Sequence, residues 1–558
     1  MPTLLFNHLG YQPNAPKTLV INASAGQSLT VEIINAGTSD IVLTTTAEEK
    51  GPVDQWKDFH YYVADFSGLT TEGDYQIHVP QLGLVSDRFP VAHNLYHKRL
   101  LGPILDYYGQ NRCADEQDEW DKQAPFVGDR DERVDVHGGW YDASGDWSKY
   151  LSHLSFANFM NPQQIPLVTW SLFEAYDRSQ GHERQADTLA EALFGTDFLV
   201  RMQDPAGYFY MTVFDKWSKD KTQREICAYE TQQGHKYDTY QAGYRQGGGM
   251  AIAALAKAAR YGDGEFTRDQ YLTTAIKGFE HLEANNLSYL DNGEENIIDD
   301  YCALMAAIEL YRTTSEAVYR KAASKRTQQL LARLSSDENF DGWLASDNAG
   351  ERPYSHASDE GLPVVALLNY YQFVAQTDEL APLQHAIERH LGYWHSIAYK
   401  VNNPFDYPRH YCRPVNSEKT DKFFFPHENE SGYWWQGENA RLGSMASAWL
   451  LAAETLPSSE ENKTQWRQLA FRQTDWILGR NPYDACMLQG YGRNNPFYLK
   501  DWPGHTGGIC NGITSSLYNE NDIGLEETED MLQNWRWGEQ WIPHAAWFLY
   551  AISLEASL

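Results

Sequence analysis

Two aspartates four residues apart, Asp142 and Asp146, stand in the stretch Gly138-Gly139-Trp140-Tyr141-Asp142-Ala143-Ser144-Gly145-Asp146-Trp147-Ser148-Lys149-Tyr150. Glycines let a backbone turn sharply and come close to a ligand. Aromatic rings such as Trp140 and Tyr141 offer flat apolar faces of the kind a sugar stacks on. Hydrolysis of a glycosidic bond needs one ionised carboxylate to activate water and a separate protonated acid to serve the leaving oxygen. The same residues also suit a surface turn with solvated aspartates, because perturbed carboxylates occur in structural networks too. The rest of the chain has to decide.

A partner acid is offered near the end of the sequence, in Trp535-Arg536-Trp537-Gly538-Glu539-Gln540-Trp541-Ile542-Pro543. Pro543 suits the first turn of a helix, which leaves Glu539 in the loop before it. The three tryptophans would exclude water and raise its pKa. Locally this is also an ordinary glutamate in a helix-initiating turn. Further candidates for sugar contact gather between helical segments. Asp299 and Asp300 would line a pocket or cap the helix that follows them. His427, Glu428, Tyr433, Trp434, Trp435 and Glu438 lie in one run, where Glu438 equally suits an anchor for Arg441. Tyr491 falls in the Gly-, Pro- and acid-rich connection from Leu478 to Glu529, and Asp135 is one more acid close to the first motif. A connection of that length is uncommon unless it is functional or disordered, and its aromatics, Tyr491, Phe497, Tyr498 and Trp502, are not those of a disordered linker.

These residues need a frame. Residues 1–92 read as short β-branched strands, among them Thr18–Asn22, a run from Leu29, a run from Ile41 and a run from Tyr75. Gly, Pro, Asn and Asp punctuate them, which predicts a small antiparallel sandwich of immunoglobulin type. Beyond Asn94 the apolar spacing turns helical through 96–110, 164–180, 185–203, 241–261, 268–288, 297–313, 316–336, 359–376, 379–400, 436–455, 460–479 and 542–556. Those segments predict about twelve helices and almost no strands, with no fixed-period repeat. Six hairpins closed into a ring would fit, although periodicity does not itself show closure.

In composition the 558 residues are globular, with 42% hydrophobic and 22% charged, and heavy in aromatics (18 Trp, 35 Tyr, 23 Phe). That surplus suits a very large core, an aromatic-lined cleft, or both. A net charge of −31 argues against nucleic acid and anionic membranes as partners and is compatible with a neutral or cationic substrate. The six cysteines show no metal-ligand or disulfide spacing and read as buried thiols. No cofactor is expected; the acidic loops would suit a structural Ca2+, but no EF-hand-like spacing marks one and none is claimed. The opening residues lack a basic segment followed by an apolar run, and no stretch reaches a membrane-spanning length, so a cytoplasmic protein is the expectation.

Several motifs together resemble glycoside hydrolase family 9, in the branch with an N-terminal immunoglobulin-like domain. Asn7-His8-Leu9-Gly10-Tyr11-Gln12-Pro13-Asn14-Ala15-Pro16-Lys17 resembles the opening of that accessory domain, and the Gly-Gly-Trp-Tyr-Asp-Ala stretch resembles the family's catalytic-base motif. Tyr433-Trp434-Trp435-Gln436-Gly437-Glu438-Asn439-Ala440-Arg441 and Leu478-Gly479-Arg480-Asn481-Pro482-Tyr483 are further matches, in the family's order. The resemblance implies an (α/α)6 barrel from 93 to 558 and an inverting β-glycosidase, with Asp146 as general base, Asp142 orienting the water and Glu539 as general acid. Beside that trio, the candidate sugar contacts read from the residues themselves are Trp140, Tyr141, Asp299, Asp300, His427, Glu428, Tyr433, Trp434, Trp435, Glu438, Tyr491 and Trp537.

Three departures stand out. Ser144 lengthens the usual Asp-Ala-Gly-Asp, Gly538 replaces an Asn before the acid, and the His-His-Arg of typical endoglucanases is missing. These departures resemble an exo-acting, intracellular subgroup that releases single glucosamine or glucose units from chitosan- or cello-oligosaccharides. An acidic pocket would attract an amino sugar, and the 505–530 segment is expected to close one end of the cleft. An endo-β-1,4-glucanase and a non-catalytic oligosaccharide-binding protein are the alternatives, with a monomer or homodimer as the assembly.

Overall fold

The computed structural model describes residues 1–556 apart from 57–58, 231–233, 430–431, 434–435, 500–501, 503 and 526–529. Its front is a β-sandwich built from β1 (Thr3–Leu5), β2 (Thr18–Asn22), β3 (Leu29–Asn35), β4 (Ile41–Gly51), β5 (Tyr61–Asp65), β6 (Gly73–Val79), β7 (Leu84–Val85) and β8 (Phe89–Val91). Alternation writes the two faces: Leu29, Val31 and Ile33 are buried, while Thr30 and Glu32 face outward. The strands pair antiparallel in the order β1-β2-β5-β4-β3-β6-β7, and β8 adds to β6. The long β4 pairs with β3 along its first part and with β5 along its last, so it carries the chain from one layer to the other. Phe6, Tyr11, Leu19, Ile21, Val31, Tyr75, Ile77 and Phe89 fill the space between.

Twelve long helices follow among the described residues, close to the twelve predicted segments. In chain order they are α1 (Leu95–Gln110), α2 (Ile165–Arg178), α3 (Gln185–Arg201), α4 (Gly249–Ala258), α5 (Arg268–Tyr289), α6 (Ile297–Thr314), α7 (Ala317–Ala332), α8 (Leu362–Phe373), α9 (Thr377–Ala398), α10 (Asn439–Thr455), α11 (Glu460–Ile477) and α12 (Ile542–Glu555). Composition sorts them into two layers. All ten residues of α4 and all fourteen of α12 are buried, as expected of helices with neighbours on every side. By contrast α5 and α7 bury one stripe and expose the rest.

The even-numbered helices pack one against the next, α2 on α4, α4 on α6, α6 on α8, α8 on α10, α10 on α12, and α12 back on α2, while odd-numbered helices back them. That closes the (α/α)6 barrel. The segments leading into the inner helices are stitched together at one end of the ring. Before α2, Gln163 bonds the Arg245 carbonyl and Asp359; Arg245 pairs with Asp299 of α6.

The expectation of almost no strands beyond the sandwich is corrected here. Strands β9 (Lys149–Tyr150), β10 (Thr212–Phe214), β11 (Glu225–Glu230) and β12 (His235–Tyr237) form a small antiparallel sheet in the order β12-β11-β10-β9, continuous with the aspartate stretch. Strands of two to six residues are too short to imprint a two-residue period on the sequence. All six cysteines are buried and outside disulfides. No described helix is long and apolar enough to cross a membrane.

The sandwich is seated on the barrel through polar and aromatic contacts. Asn7 Nδ2 donates to Asp475 on α11 and to Tyr96 on α1, both at 2.8 Å, and Gln12 donates to the Glu555 carbonyl at the end of α12. Trp56, 2% exposed, lies against Phe405, Phe423 and Trp476. Truncating it leaves a large cavity in that joint, so Trp56→Ala is expected to lower stability by about 3–5 kcal/mol in denaturant titrations. An unchanged midpoint would show that the two parts are held by other contacts.

Candidate active site

The aspartate loop meets the Glu539 loop through backbone pairing. Ala143 forms an antiparallel bridge with Trp541. Ser144 N donates to the Gln540 carbonyl at 2.8 Å, and Ser144 Oγ accepts from Gln540 N at 3.0 Å. Ile542 N then donates to the Asp142 carbonyl at 3.1 Å. The inserted serine is therefore the residue that clasps the two loops, and it is fully buried there. On the far side of the acid, Asn511 N takes the Glu539 carbonyl at 2.8 Å and its side-chain amide reaches Glu539 Oε2 at 3.3 Å. Asn511 thus supplies an amide donor to the acid although position 538 holds glycine.

The three carboxyls share one desolvated space and influence one another. Glu539 is half-buried, and desolvation together with the Asp146 charge pushes its pKa up to about 8. Asp146, 7% exposed, is pushed up to about 6 by burial and by Asp215, against the pull of N–H donors from Trp147 at 2.6 Å and Ser148 at 2.9 Å on its Oδ1. Asp142 is raised further, by burial and then by the charges of Asp146 and Glu539, while Trp541 Nε1 donates to its Oδ1 at 3.1 Å. His153 stands 4.0 Å from Asp142 Oδ2; burial lowers its pKa to about 3, so it is neutral, and its Nδ1 shares a hydrogen bond of 3.0 Å with the Tyr229 hydroxyl. Around neutral pH this arrangement holds Glu539 protonated near an Asp146 that ionises readily, with Asp142 raised further still. That is the inventory of acid–base catalysis.

Two glycines admit a third segment. A Cβ on Gly145, whose φ is +82°, would stand 2.1 Å from the Trp502 ring, and one on Gly538 would meet the Phe497 carbonyl at 2.5 Å. Gly538, the second departure, is what lets residues 497–498 approach the acid, where Tyr498 is buried and feels the charges of Glu539 and Asp146. Lys219 Nζ lies over the Trp502 ring, 4.1 Å from its centre.

Of the predicted site residues, Asp142, Asp146 and Glu539 come together. Several others do not face the same space. Trp140 is fully buried, with its ring N–H on Glu191 at 2.8 Å, and packs under the loop against Tyr108 and Phe194. The Tyr141 hydroxyl turns to Cys113 and the Ala114 backbone. Asp299 pairs with Arg245 and caps α6; Asp300 is held by Arg326 at 3.1 Å and Arg333 at 2.7 Å. Glu438, 1% exposed, is bound by Tyr407, His410, Arg441 and the Phe425 N–H, so it is an anchor and has no room for a sugar. Trp537 is buried, its ring N–H on the Gly524 carbonyl and Arg536 over its face.

His427 bonds Ser515 at 2.6 Å, Glu428 is exposed, and Tyr491 feels the charges of Arg99 and Asp106 on α1. Asp135 is exposed and bonded to His137. Trp434 and Trp435 lie outside the described residues, and of Tyr433 the backbone alone is described. Missed from sequence were Tyr107, Tyr150, His153, Tyr229 and Asn511 around the carboxyls, which no local spacing marks out. Tyr498 and Trp502 had one signal, their place among the aromatics of the long connection. Among the described residues no group of three or more His, Cys, Asp or Glu stands in a metal-binding arrangement.

Because native Glu539 keeps its proton to about pH 8 and an unfolded glutamate loses it near 4.5, the native state binds more protons between those values. Its contribution to stability is therefore intact below 4.5 and lost as pH rises toward 8. Relative to the parent, Glu539→Gln should gain stability across that window by about 1–3 kcal/mol, read from denaturant midpoints at its two ends. A difference independent of pH would mean that the carboxyl is not held protonated.

Known proteins carry the same frame. The sequence profile described as Glycosyl hydrolase family 9 matches residues 97–506, and that of the Cellulase N-terminal ig-like domain matches residues 1–83. A xyloglucan-specific endo-beta-1,4-glucanase of Bacteroides ovatus is 24% identical over 533 residues, covering 88% of this chain and 81% of that protein. A cellodextrinase of Butyrivibrio fibrisolvens is 30% identical over 221 residues, 37% of this chain and 39% of its own. Among solved structures, a metagenome-derived glycoside hydrolase family 9 endoglucanase superposes with a TM-score of 0.68 at 18% identity, over 100% of this chain and 99% of that one. The ring, the sandwich before it and the profile match agree: the chain belongs to glycosyl hydrolase family 9 and is an inverting glycosidase.

Proposed function

We propose that the chain hydrolyses short β-1,4-linked oligosaccharides of glucose or glucosamine from one end, with Asp146 as general base, Asp142 orienting the water and Glu539 as general acid. The observation that carries this reading is the unequal protonation of the facing carboxyls, about 6 for Asp146 and about 8 for Glu539. Between those values Asp146 takes a proton from water as its oxygen attacks the anomeric carbon, while Glu539 passes its own to the departing glycosidic oxygen. The bond to the leaving sugar breaks as the new C–O bond forms on the opposite face, which inverts the anomeric centre. Solvent then returns a proton to Glu539 and removes one from Asp146. Two backbone N–H groups on Asp146 favour its anion, which supports Asp146 rather than Asp142 as the base.

Action from an end is supported by the packing of Tyr498 and Trp502 against the acid and the aspartate loop, which narrows the space beside the carboxyls. The name of the Butyrivibrio fibrisolvens relative, a cellodextrinase, agrees with short substrates. Internal cleavage is the second reading, favoured by the endoglucanase names of other relatives, Acetivibrio thermocellus endoglucanase D among them. A time course on a β-1,4 hexasaccharide separates the two, since the proposal expects single sugars first and mid-chain products from the outset would refute it.

Asp146→Asn and Glu539→Gln should each lower kcat by about a hundred- to ten-thousandfold while oligosaccharide binding persists. The parent should show a bell-shaped rate profile with limbs near 6 and 8. Retained turnover in either variant, or a flat profile, would remove these residues from the chemistry.

A further inference from the structure

Beside Asp146 stands another buried carboxylate that no step above uses. Asp215 directly follows β10 and is 1% exposed. Ser148 joins the two acids: its backbone N–H donates to Asp146 Oδ1 at 2.9 Å, and its hydroxyl donates to Asp215 Oδ1 at 3.1 Å. The same hydroxyl is within bonding reach of Asp146. A serine has one proton to donate, so the two carboxylates compete for it.

Asp215 is tied down from its other side as well. Trp217 N donates to its Oδ1 at 3.2 Å and Lys219 N to its Oδ2 at 2.9 Å. Around those bonds the backbone is left-handed at Lys216 (φ 61°), Trp217 (φ 55°) and Lys219 (φ 55°), a conformation that residues with side chains rarely adopt. Such a turn persists where its surroundings over-determine it, and the Asp215 carboxylate is the group that gathers this one. The turn sets Lys219 over Trp502, the ring that packs on Gly145 between the two aspartates.

Among the described residues no Lys, Arg or His forms an ion pair with Asp215. Arg224, which feels its charge, is committed to Asp121 at 2.6 and 2.8 Å and to the Trp147 carbonyl at 2.7 Å. Lys149 Nζ is 2.6 Å from Asp121 too. After burial, the Asp215 charge is what most opposes ionisation of Asp146. The other titratable groups facing the base are Asp142 on its own loop, Glu539 before α12, Tyr498 of the long connection, Tyr150 on β9 and Tyr229 on β11. None of them is a cation.

We infer that Asp215 is a positioning residue of the hydrolysis: its carboxylate draws the Ser148 hydroxyl away from Asp146 and sets a fixed negative charge beside it, leaving the base free to take a proton from water. The inference rests on the glycosidase reading above and adds a residue to it. As the water O–H bond breaks, its oxygen bonds the anomeric carbon and its proton passes to Asp146, while Glu539 protonates the departing oxygen. Repulsion between Asp146 and Asp215 is relieved in that step, which favours the proton's arrival.

The test compares pH–rate profiles of Asp215→Asn and Asp215→Glu protein on whichever of cellotriose and the glucosamine trisaccharide the unaltered chain hydrolyses. Both substitutions disturb the packing, but the amide alone removes the charge. Asp215→Asn should move the acidic limb down from near 6 by about one unit and leave the alkaline limb near 8 in place. Its plateau kcat should fall about three- to tenfold with KM little changed. Asp215→Glu should keep the acidic limb near 6. An acidic limb unmoved by the amide, or moved equally by both variants, would overturn the inference. If Asp215→Asn protein does not fold, Ser148→Ala decides: loss of a hydroxyl held by Asp215 leaves the acidic limb near 6, whereas a rise of about one unit would assign that proton to Asp146 and overturn the inference. Failure of the glycosidase reading looks different, since the unaltered chain would then hydrolyse neither trisaccharide, or Asp146→Asn would keep its turnover; either result takes this inference with it.

Discussion

The site depends on one short piece of backbone pairing, the clasp of Ala143 and Ser144 onto Gln540 and Trp541. The partners are 396 residues apart, so nothing local brings them together. They meet because α2 and α12 are neighbours in the inner ring, and each is preceded by one of the two loops. Ring closure is thus the step that assembles the chemistry. Apolar burial along the inner helices, non-directional and large in sum, fixes where the loops end. Five hydrogen-bonding groups of main chain and one serine hydroxyl then set their register.

Within that frame the protein separates three carboxyls by what each is given. Asp146 receives backbone donors, Asp142 an indole N–H, and Glu539 a single long amide contact. Equal burial would have left the three competing for protons on similar terms. Unequal donors split them, so that one stays ionised where another stays protonated. The cost is a cluster of like charges in a desolvated space, a local strain that the surrounding barrel absorbs, as functional sites commonly require.

Reading the sequence recovered the periodic parts well. The twelve helical segments rest on long apolar patterns, and those patterns answer directly to burial. Asp142 and Asp146 were visible because glycine and aromatics crowd them, whereas Glu539 looked ordinary by itself and rose on motif order. The errors have a common physical origin. Trp140 in the aspartate stretch, and Asp299, Asp300 and Glu438 in the connections between helices, each turn inward to a distant partner: Glu191, Arg245, Arg333 and His410. Which way a side chain faces from a loop is decided by such partners, and spacing along the chain does not encode them. Conversely Ser144 and Gly538, met as irregularities, are explained by contacts with Gln540 and with Phe497.

The seat of the sandwich has its own consequence for how the polypeptide is made. Besides Asn94 and Tyr96 at the start of α1, the barrel surface that seats the sandwich, from Phe405 and Phe423 to Trp476, Asp484 and Glu555, belongs to the last third of the chain. A ribosome delivers the sandwich first and most of its berth last. For most of translation, at roughly 5–20 residues per second, an aromatic flank of the newborn β-domain stays wet and adhesive, until the segment from Phe405 to Trp476 has emerged to cover it.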